Sequence, residues 1–140
     1  MNTIISRDYV NEANNRNTMQ KIYLIVASLL ALLANGLGAF GTHALRGTIE
    51  PSYLAAFQTG VQYQFYHSLA LFMLALLMFH IKNTWLTLAG IGFITGCFFF
   101  SGSLFVLSIS GFKWLGIITP LGGMAFIMGW VFLLIGVIKS

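Results

Sequence analysis

The chain has 140 residues, of which 58% are hydrophobic and only 7% are charged. Soluble globular domains carry about 25% charged residues, and a domain of this size has too little interior to bury so much apolar side chain. This composition excludes an ordinary soluble domain and favours a membrane protein. The net charge of +4 does not indicate nucleic-acid binding, because the basic residues are scattered between apolar runs rather than clustered.

The hydropathy pattern predicts an all-α, polytopic membrane protein built as a bundle of four transmembrane helices. Residues 1–20 are polar and rich in Asn, which favours a disordered N-terminal tail. Residues 21–140 then form the transmembrane domain. A span needs about 20 apolar residues to cross about 30 Å of hydrocarbon. The four runs of this kind lie at about 22–42, 60–79, 85–108 and 114–138.

The first loop contains a helix start at Glu50-Pro51, because proline fits the first position of a helix. Tyr53, Phe57 and Val61 follow at helical spacing. We therefore expect a short interfacial helix before the second span.

Glycines recur along the predicted spans at helical spacings, three of them in the last span at intervals of seven residues. Small residues allow the backbones of membrane helices to approach closely. We predict helix packing at these glycines: Gly38, Gly92, Gly96, Gly122, Gly129 and Gly136.

The distribution of Lys and Arg predicts the orientation. The N-terminal tail, the second loop and the C-terminus carry most basic residues, whereas the first and third loops carry only Arg46 and Lys113. The positive-inside rule then places both termini of this multi-pass chain in the cytoplasm.

With this orientation, polar residues from four segments fall at one depth in the outer half of the bundle, whereas the inner half has almost none. The predicted polar cluster consists of His43, Tyr63, Gln64, His67, Ser101, Ser103 and Thr119. An ionisable residue inside a span, such as His67, is a candidate functional residue. Ser, Thr, Gln and Tyr in spans also make interhelical hydrogen bonds. The sequence leaves both interpretations of the cluster open.

The single cysteine, Cys97, lies in an apolar run, so no intrachain disulfide can form. No spacing typical of a metal site occurs, and we expect neither a metal nor a cofactor.

Four short motifs carry a family resemblance: LGAFGTH at 37–43, YQFYH at 63–67, FSGSL at 100–104 and TPLGG at 119–123. In this order they resemble the motifs of the domain-of-unknown-function family 423, which is related to eukaryotic transmembrane protein 256. The resemblance implies a small four-helix protein of the bacterial inner membrane, and it implies no activity. It begins at about Met19, which is therefore an alternative initiator to Met1.

The favoured function is that of a non-enzymatic integral membrane protein with the lipid bilayer as its partner. A second copy or another membrane protein is an alternative partner, and nucleic acid is not expected. A small transporter or channel is less favoured, because no Asp or Glu lies in a span and only His67 could carry a proton. Small-molecule binding is a further alternative, including haem held by His43 and His67. An enzyme is disfavoured, because a serine nucleophile needs an orienting acid that the spans lack.

Overall fold

The computed structural model describes the backbone of residues 2–140 and the side chains of Asn14 and residues 17–140. All regular secondary structure in this part of the chain is helical, so the predicted all-α class is confirmed. The α-helices are α1 (Asn2–Phe40), α2 (Pro51–Leu77), α3 (Thr84–Gly96), α4 (Gly102–Ser110) and α5 (Thr119–Ile138). Two π-helical turns, Gly41–Leu45 and Cys97–Ser101, follow α1 and join α3 to α4, and a 3₁₀ turn at Lys113–Ile117 precedes α5.

Three helical segments are long and apolar enough to cross a membrane: Asn17–Leu45, Thr84–Ser110 and Lys113–Ile138. Helix α2 has 27 residues and a length of about 40 Å, which would also suffice. Its mean hydropathy is lower because polar side chains occupy its middle turns at 62–68.

The first loop and the second span differ from the sequence prediction. A short interfacial helix and a separate span were expected, and the structure joins both in the single helix α2, which begins at Pro51. Gly60, where the separate span was expected to begin, lies within this continuous helix, and the Phe105 ring packs directly against it.

The structure describes the backbone of residues 2–20 as the first part of helix α1, whereas the sequence favoured a disordered tail at 1–20. Gln20, at the end of this segment, is described and is buried. Its Nε2 donates a hydrogen bond to the carbonyl of Met78 at 2.7 Å. The membrane domain therefore begins to pack at or before Gln20.

Helix α1 packs along α2, and α3 packs along α5, while α2 also contacts α3 and α4. The buried core is densest where the end of α2 meets the start of α3. Its fully buried side chains include Tyr23, Leu71, Leu74, Leu86 and Phe93.

Glycines bring α3 and α5 into backbone contact. A Cβ on Gly92 would lie 2.8 Å from the Cα of Gly129, and one on Gly136 would lie 2.8 Å from Leu86 Cδ2. Gly96 lies directly against the ring of Phe126. Gly38, between α1 and α2, is less crowded, because a Cβ there would lie 3.3 Å from Val61 Cγ1.

A second set of interhelical contacts ties the end of the bundle that contains the α2–α3 loop. The Tyr23 hydroxyl donates to the carbonyl of Thr87 at 2.8 Å, and Asn83 Nδ2 donates to the carbonyl of Gly136 at 2.8 Å. With the Gln20–Met78 bond, these contacts connect all the long helices at this end. The sequence analysis expected almost no polar residues in this half of the bundle. The structure corrects this expectation, because Gln20, Tyr23 and Asn83 form interhelical hydrogen bonds there.

Gly122 offers a test of the packing, because a Cβ there would collide with the backbone of Phe100. We expect Gly122→Ala to lower the free energy of unfolding by about 1–3 kcal/mol, since an overpacked contact must shift backbone atoms. The matched control is Gly123→Ala, where the nearest atom is Phe100 Cδ2 at 3.8 Å. Unfolding in a detergent titration would measure both, and equal stability of the two variants would contradict the packing argument.

Candidate functional site

His67 lies on α2 with both ring nitrogens engaged. Its Nδ1 is 2.8 Å from the carbonyl oxygen of Tyr63, and its Nε2 is 3.2 Å from the indole Nε1 of Trp130. A carbonyl can only accept a hydrogen bond and an indole N–H can only donate one. The two contacts therefore assign a neutral imidazole that carries its proton on Nδ1.

Aromatic rings enclose this imidazole. The Phe126 ring stacks on it with centroids 3.5 Å apart and an interplanar angle of 11°. The Phe93 ring lies 5.6 Å away, and Tyr63 lies 6.0 Å away. His67 is consequently only 7% exposed. In this arrangement neither nitrogen is free to ligate haem or to take up a proton without losing a hydrogen bond.

A second pair of predicted residues joins α4 to α5. The Ser103 hydroxyl donates to the carbonyl of Phe100 at 2.9 Å, and it lies 2.8 Å from the hydroxyl of Thr119. The Thr119 hydroxyl also has a backbone acceptor, the carbonyl of Leu115 at 3.5 Å, so either hydroxyl of the pair can be the donor to the other. This pair resembles the interhelical hydrogen bonds that are common in membrane proteins.

Ser101 lies at the end of the π-helical turn Cys97–Ser101 and is fully buried. Its hydroxyl has no hydrogen-bond partner among the described residues. In this turn the backbone N–H of Gly102 donates to the carbonyl of Cys97, which is the long spacing of a π-helix. The turn coincides with the place where Gly122 presses against the Phe100 backbone.

Gln64 is 5% exposed and makes an interhelical bond from its Nε2 to the carbonyl of Leu30 at 3.0 Å. Gln64 also lines a cavity of about 540 Å³ between α1 on one side and α3 and α4 on the other. We call this cavity the α1–α4 groove. Its lining includes Leu33, Leu37, Cys97, Phe98, Ser103 and Val106.

The predicted cluster is therefore divided. Tyr63 and His67 form one group, Ser103 and Thr119 form another, and Phe100 contacts both through its ring and its carbonyl. Gln64 faces the groove, and the Ser101 hydroxyl bonds to neither group. His43 does not join, because it is exposed on the π-helical turn after α1.

Trp130 is the contributor that the sequence analysis missed. It lies in the middle of α5, whereas tryptophans in membrane helices are enriched near the two interfaces. The indole N–H of a tryptophan in the middle of a span needs a hydrogen-bond acceptor. The mid-span position of Trp130 was therefore the sequence signal that it bonds to another polar residue of the bundle. Among the described residues, no group of three or more His, Cys, Asp or Glu lies together in a way that could hold a metal ion.

Residues 37–123, which include all seven residues of the predicted cluster, match the family model described as "Protein of unknown function (DUF423)". The chain belongs to the DUF423 family. The resemblance found in the four motifs is thereby confirmed.

Relatives of this DUF423 protein carry the name UPF0382. The UPF0382 membrane protein YwdK of Bacillus subtilis is 45% identical over 120 residues, which is 85% of this chain and 98% of YwdK. The UPF0382 inner membrane protein YgdD of Escherichia coli is 34% identical over 119 residues, which is 85% of this chain and 91% of YgdD. No solved structure matches the chain. The DUF423 chain is thus a membrane protein of an uncharacterised family.

The assigned tautomer of His67 gives a prediction for Trp130. Replacement of Trp130 by Phe keeps a ring but removes the N–H donor, so we expect a loss of about 1–2 kcal/mol in the free energy of unfolding. Nitrogen NMR of histidine-labelled protein in bilayers should show His67 protonated on Nδ1 alone in the unmodified protein.

Trp114→Phe is the matched control, because Trp114 is 60% exposed in the 3₁₀ turn. We expect it to leave both the stability and the His67 signals unchanged. A His67 ring with its proton on Nε2, or equal effects of the two tryptophan substitutions, would contradict the assignment.

Proposed function

We propose that the protein is a non-enzymatic integral membrane protein with four spans, which acts through contacts made inside the bilayer. The observation that carries this proposal is the state of His67. It is the histidine that sits inside the bundle, and its two nitrogens are bonded to Tyr63 and Trp130. The apolar runs contain no Asp or Glu that could assist it as a catalytic or relay partner.

The fourth span in this proposal is α2. It is long enough, it contains no Asp, Glu, Lys or Arg, and Arg46 and Lys82 flank it on either side. Two of its polar side chains, Gln64 and His67, are buried against protein rather than exposed to lipid. Its first turns at 51–59 would then lie at the membrane interface. Polar side chains within a span usually face the interior of the bundle, and the burial of Gln64 and His67 follows this pattern.

The proposed location is the bacterial inner membrane with both termini in the cytoplasm. The bias of Lys and Arg toward the N-terminal segment, the α2–α3 loop and the C-terminus supports this orientation. The name of the relative YgdD, an inner membrane protein of Escherichia coli, supports the location. The protein could associate there with a second copy or with another membrane protein.

Proton-coupled transport is the competing function, and the geometry favours it less. A relay needs a group that can gain and lose a proton along a wet path. Protonation of His67 at Nε2 would break the bond from Trp130 inside a shell of aromatic rings. Among the described residues, the rings of Phe93, Phe126 and Trp130 occupy the space around His67, where a relay would need water.

Single cysteines test the orientation. We expect a membrane-impermeant maleimide to label Arg46→Cys and Lys113→Cys from outside intact spheroplasts. Lys82→Cys and Lys139→Cys should react only after the membrane is opened. The unmodified protein is the background control, since its one cysteine, Cys97, is buried. Labelling of Lys82→Cys from outside would overturn the proposed topology.

Purified protein in liposomes tests the competing function. We expect the same proton and solute leakage from liposomes that contain the unmodified protein and from liposomes with His67→Ala, because a neutral His67 with both nitrogens hydrogen-bonded does not relay protons. A pH-dependent flux that is present in the unmodified protein and absent in His67→Ala would favour a transporter instead.

A further inference from the structure

The buried amide of Gln64 uses only part of its hydrogen-bonding capacity. Gln64 makes a single hydrogen bond with the described residues, through Nε2 to Leu30. Its Oε1 and the second hydrogen of Nε2 remain available, and the side chain lines the α1–α4 groove. An amide in an apolar region is stabilised by every hydrogen bond that it can add. Gln64 therefore offers a polar contact to whatever occupies the groove.

The groove itself is uncharged and open to the side of the bundle. All its lining residues are neutral, and most are Leu, Ile, Val or Phe. Leu33, Phe98 and Val106 on its rim are each more than half exposed. Its volume of about 540 Å³ falls within the range of about 300–1,000 Å³ that is typical of ligand sites.

The groove runs along the bundle toward its centre. Leu115 and Ile118, beside the start of α5, lie toward one end, and Leu30, Ile94 and Gln64 are farther along their helices. The first turns of α2 at 51–59 are proposed to lie at the membrane interface, and Gln64 is five residues, or about 7 Å, beyond them along the helix. The polar contact therefore lies on the hydrocarbon side of the level at which charged lipid headgroups lie.

We propose that the α1–α4 groove binds a neutral membrane lipid that carries a hydroxyl group, with that hydroxyl bonded to Gln64. The uncharged lining complements hydrocarbon and has no cationic side chain that would neutralise a phosphate or a carboxylate. A hydroxyl donates to the free Oε1 of Gln64 and can also accept from Nε2. This inference rests on the proposed membrane insertion of α2.

A helix from a second protein is the alternative occupant, and the lining disfavours it. Membrane helices pack closely where small residues let their backbones approach. The groove presents bulky side chains and has a single glycine, Gly102, with no atom within 4 Å of its Cβ position. A flexible lipid chain fills such an irregular apolar surface more readily than a rigid helix does.

Photolabelling of the full-length protein in nanodiscs tests the proposal. The probe is a long-chain alcohol with a diazirine in its chain, and the comparison probe is its methyl ether, which cannot donate a hydrogen bond. We expect the alcohol to label the groove segments at 30–37 and 94–106 about threefold to tenfold more than the ether does. In Gln64→Leu, labelling by the alcohol probe should fall to the level of labelling by the ether probe.

Two further variants make the test specific. Gln62→Leu, on the same helix but outside the groove lining, should label like the unmodified protein. Gly102→Leu fills the open space at Gly102 and should reduce labelling by both probes. Thermal melting of each variant reports whether it is folded, and Gln62→Leu provides the reference for a folded glutamine substitution.

Equal labelling by both probes, unchanged in Gln64→Leu, would overturn the proposal. So would disulfide-linked dimers formed through Leu33→Cys in the membrane together with absent groove labelling, since they indicate a helix in the groove. The maleimide pattern of the loop cysteines is independent of both outcomes. If that pattern is as expected and groove labelling fails, only the lipid proposal falls; if the pattern itself is reversed or lacks a crossing, the four-span proposal falls.

Discussion

Two helices in lipid gain little from the hydrophobic effect when they associate, so close backbone packing and hydrogen bonds hold them together. In this protein the closest packing joins α3 to α5. Gly92 and Gly129 touch at the centre of the contact, and Gly136 meets Leu86 near one end. Near the other end, Gly122 abuts the backbone of Phe100 within the π-helical turn. The paths of α4 and α5 around the polar residues depend on this contact.

The contact also determines how the polar residues are arranged. It sets Phe126 and Trp130 of α5 against α2, where they stack on His67 and donate to its Nε2. It brings Thr119 within reach of Ser103, and Phe100 against Tyr63. Most polar side chains in this half of the bundle thus have partners inside it. Gln64 lines the lateral groove and makes only one hydrogen bond within the described bundle, which is why we propose lipid binding there rather than catalysis or transport.

The sequence predicted the features that depend on composition and periodicity. Long apolar runs indicated an all-α membrane protein, and the order of four motifs indicated the family. It did not predict that α2 is continuous from Pro51, because a glycine at 60 reads as a boundary until the packing of Phe105 against it is known. The sequence analysis identified polar residues of the spans, but it did not predict which residues they form hydrogen bonds with.

The reason is physical. Periodicity assigns a residue to one face of one helix, whereas a hydrogen bond depends on the rotation and depth of two helices. Trp130 contacts His67 across 63 positions in the chain, and Asn83 reaches Gly136 across 53. The π-helical turn at 97–101 lies where Gly122 approaches the backbone of Phe100, a contact between two helices that periodicity in one helix does not reveal. The groove exists only because α1 and α4 do not pack directly along their lengths.

Native mass spectrometry of the protein released from its own membrane would test the central claim most directly. The account predicts one bound, uncharged lipid that is retained in Gln62→Leu and lost in Gln64→Leu. A protein that carries the same adducts in all three forms, or only charged phospholipids, would contradict it.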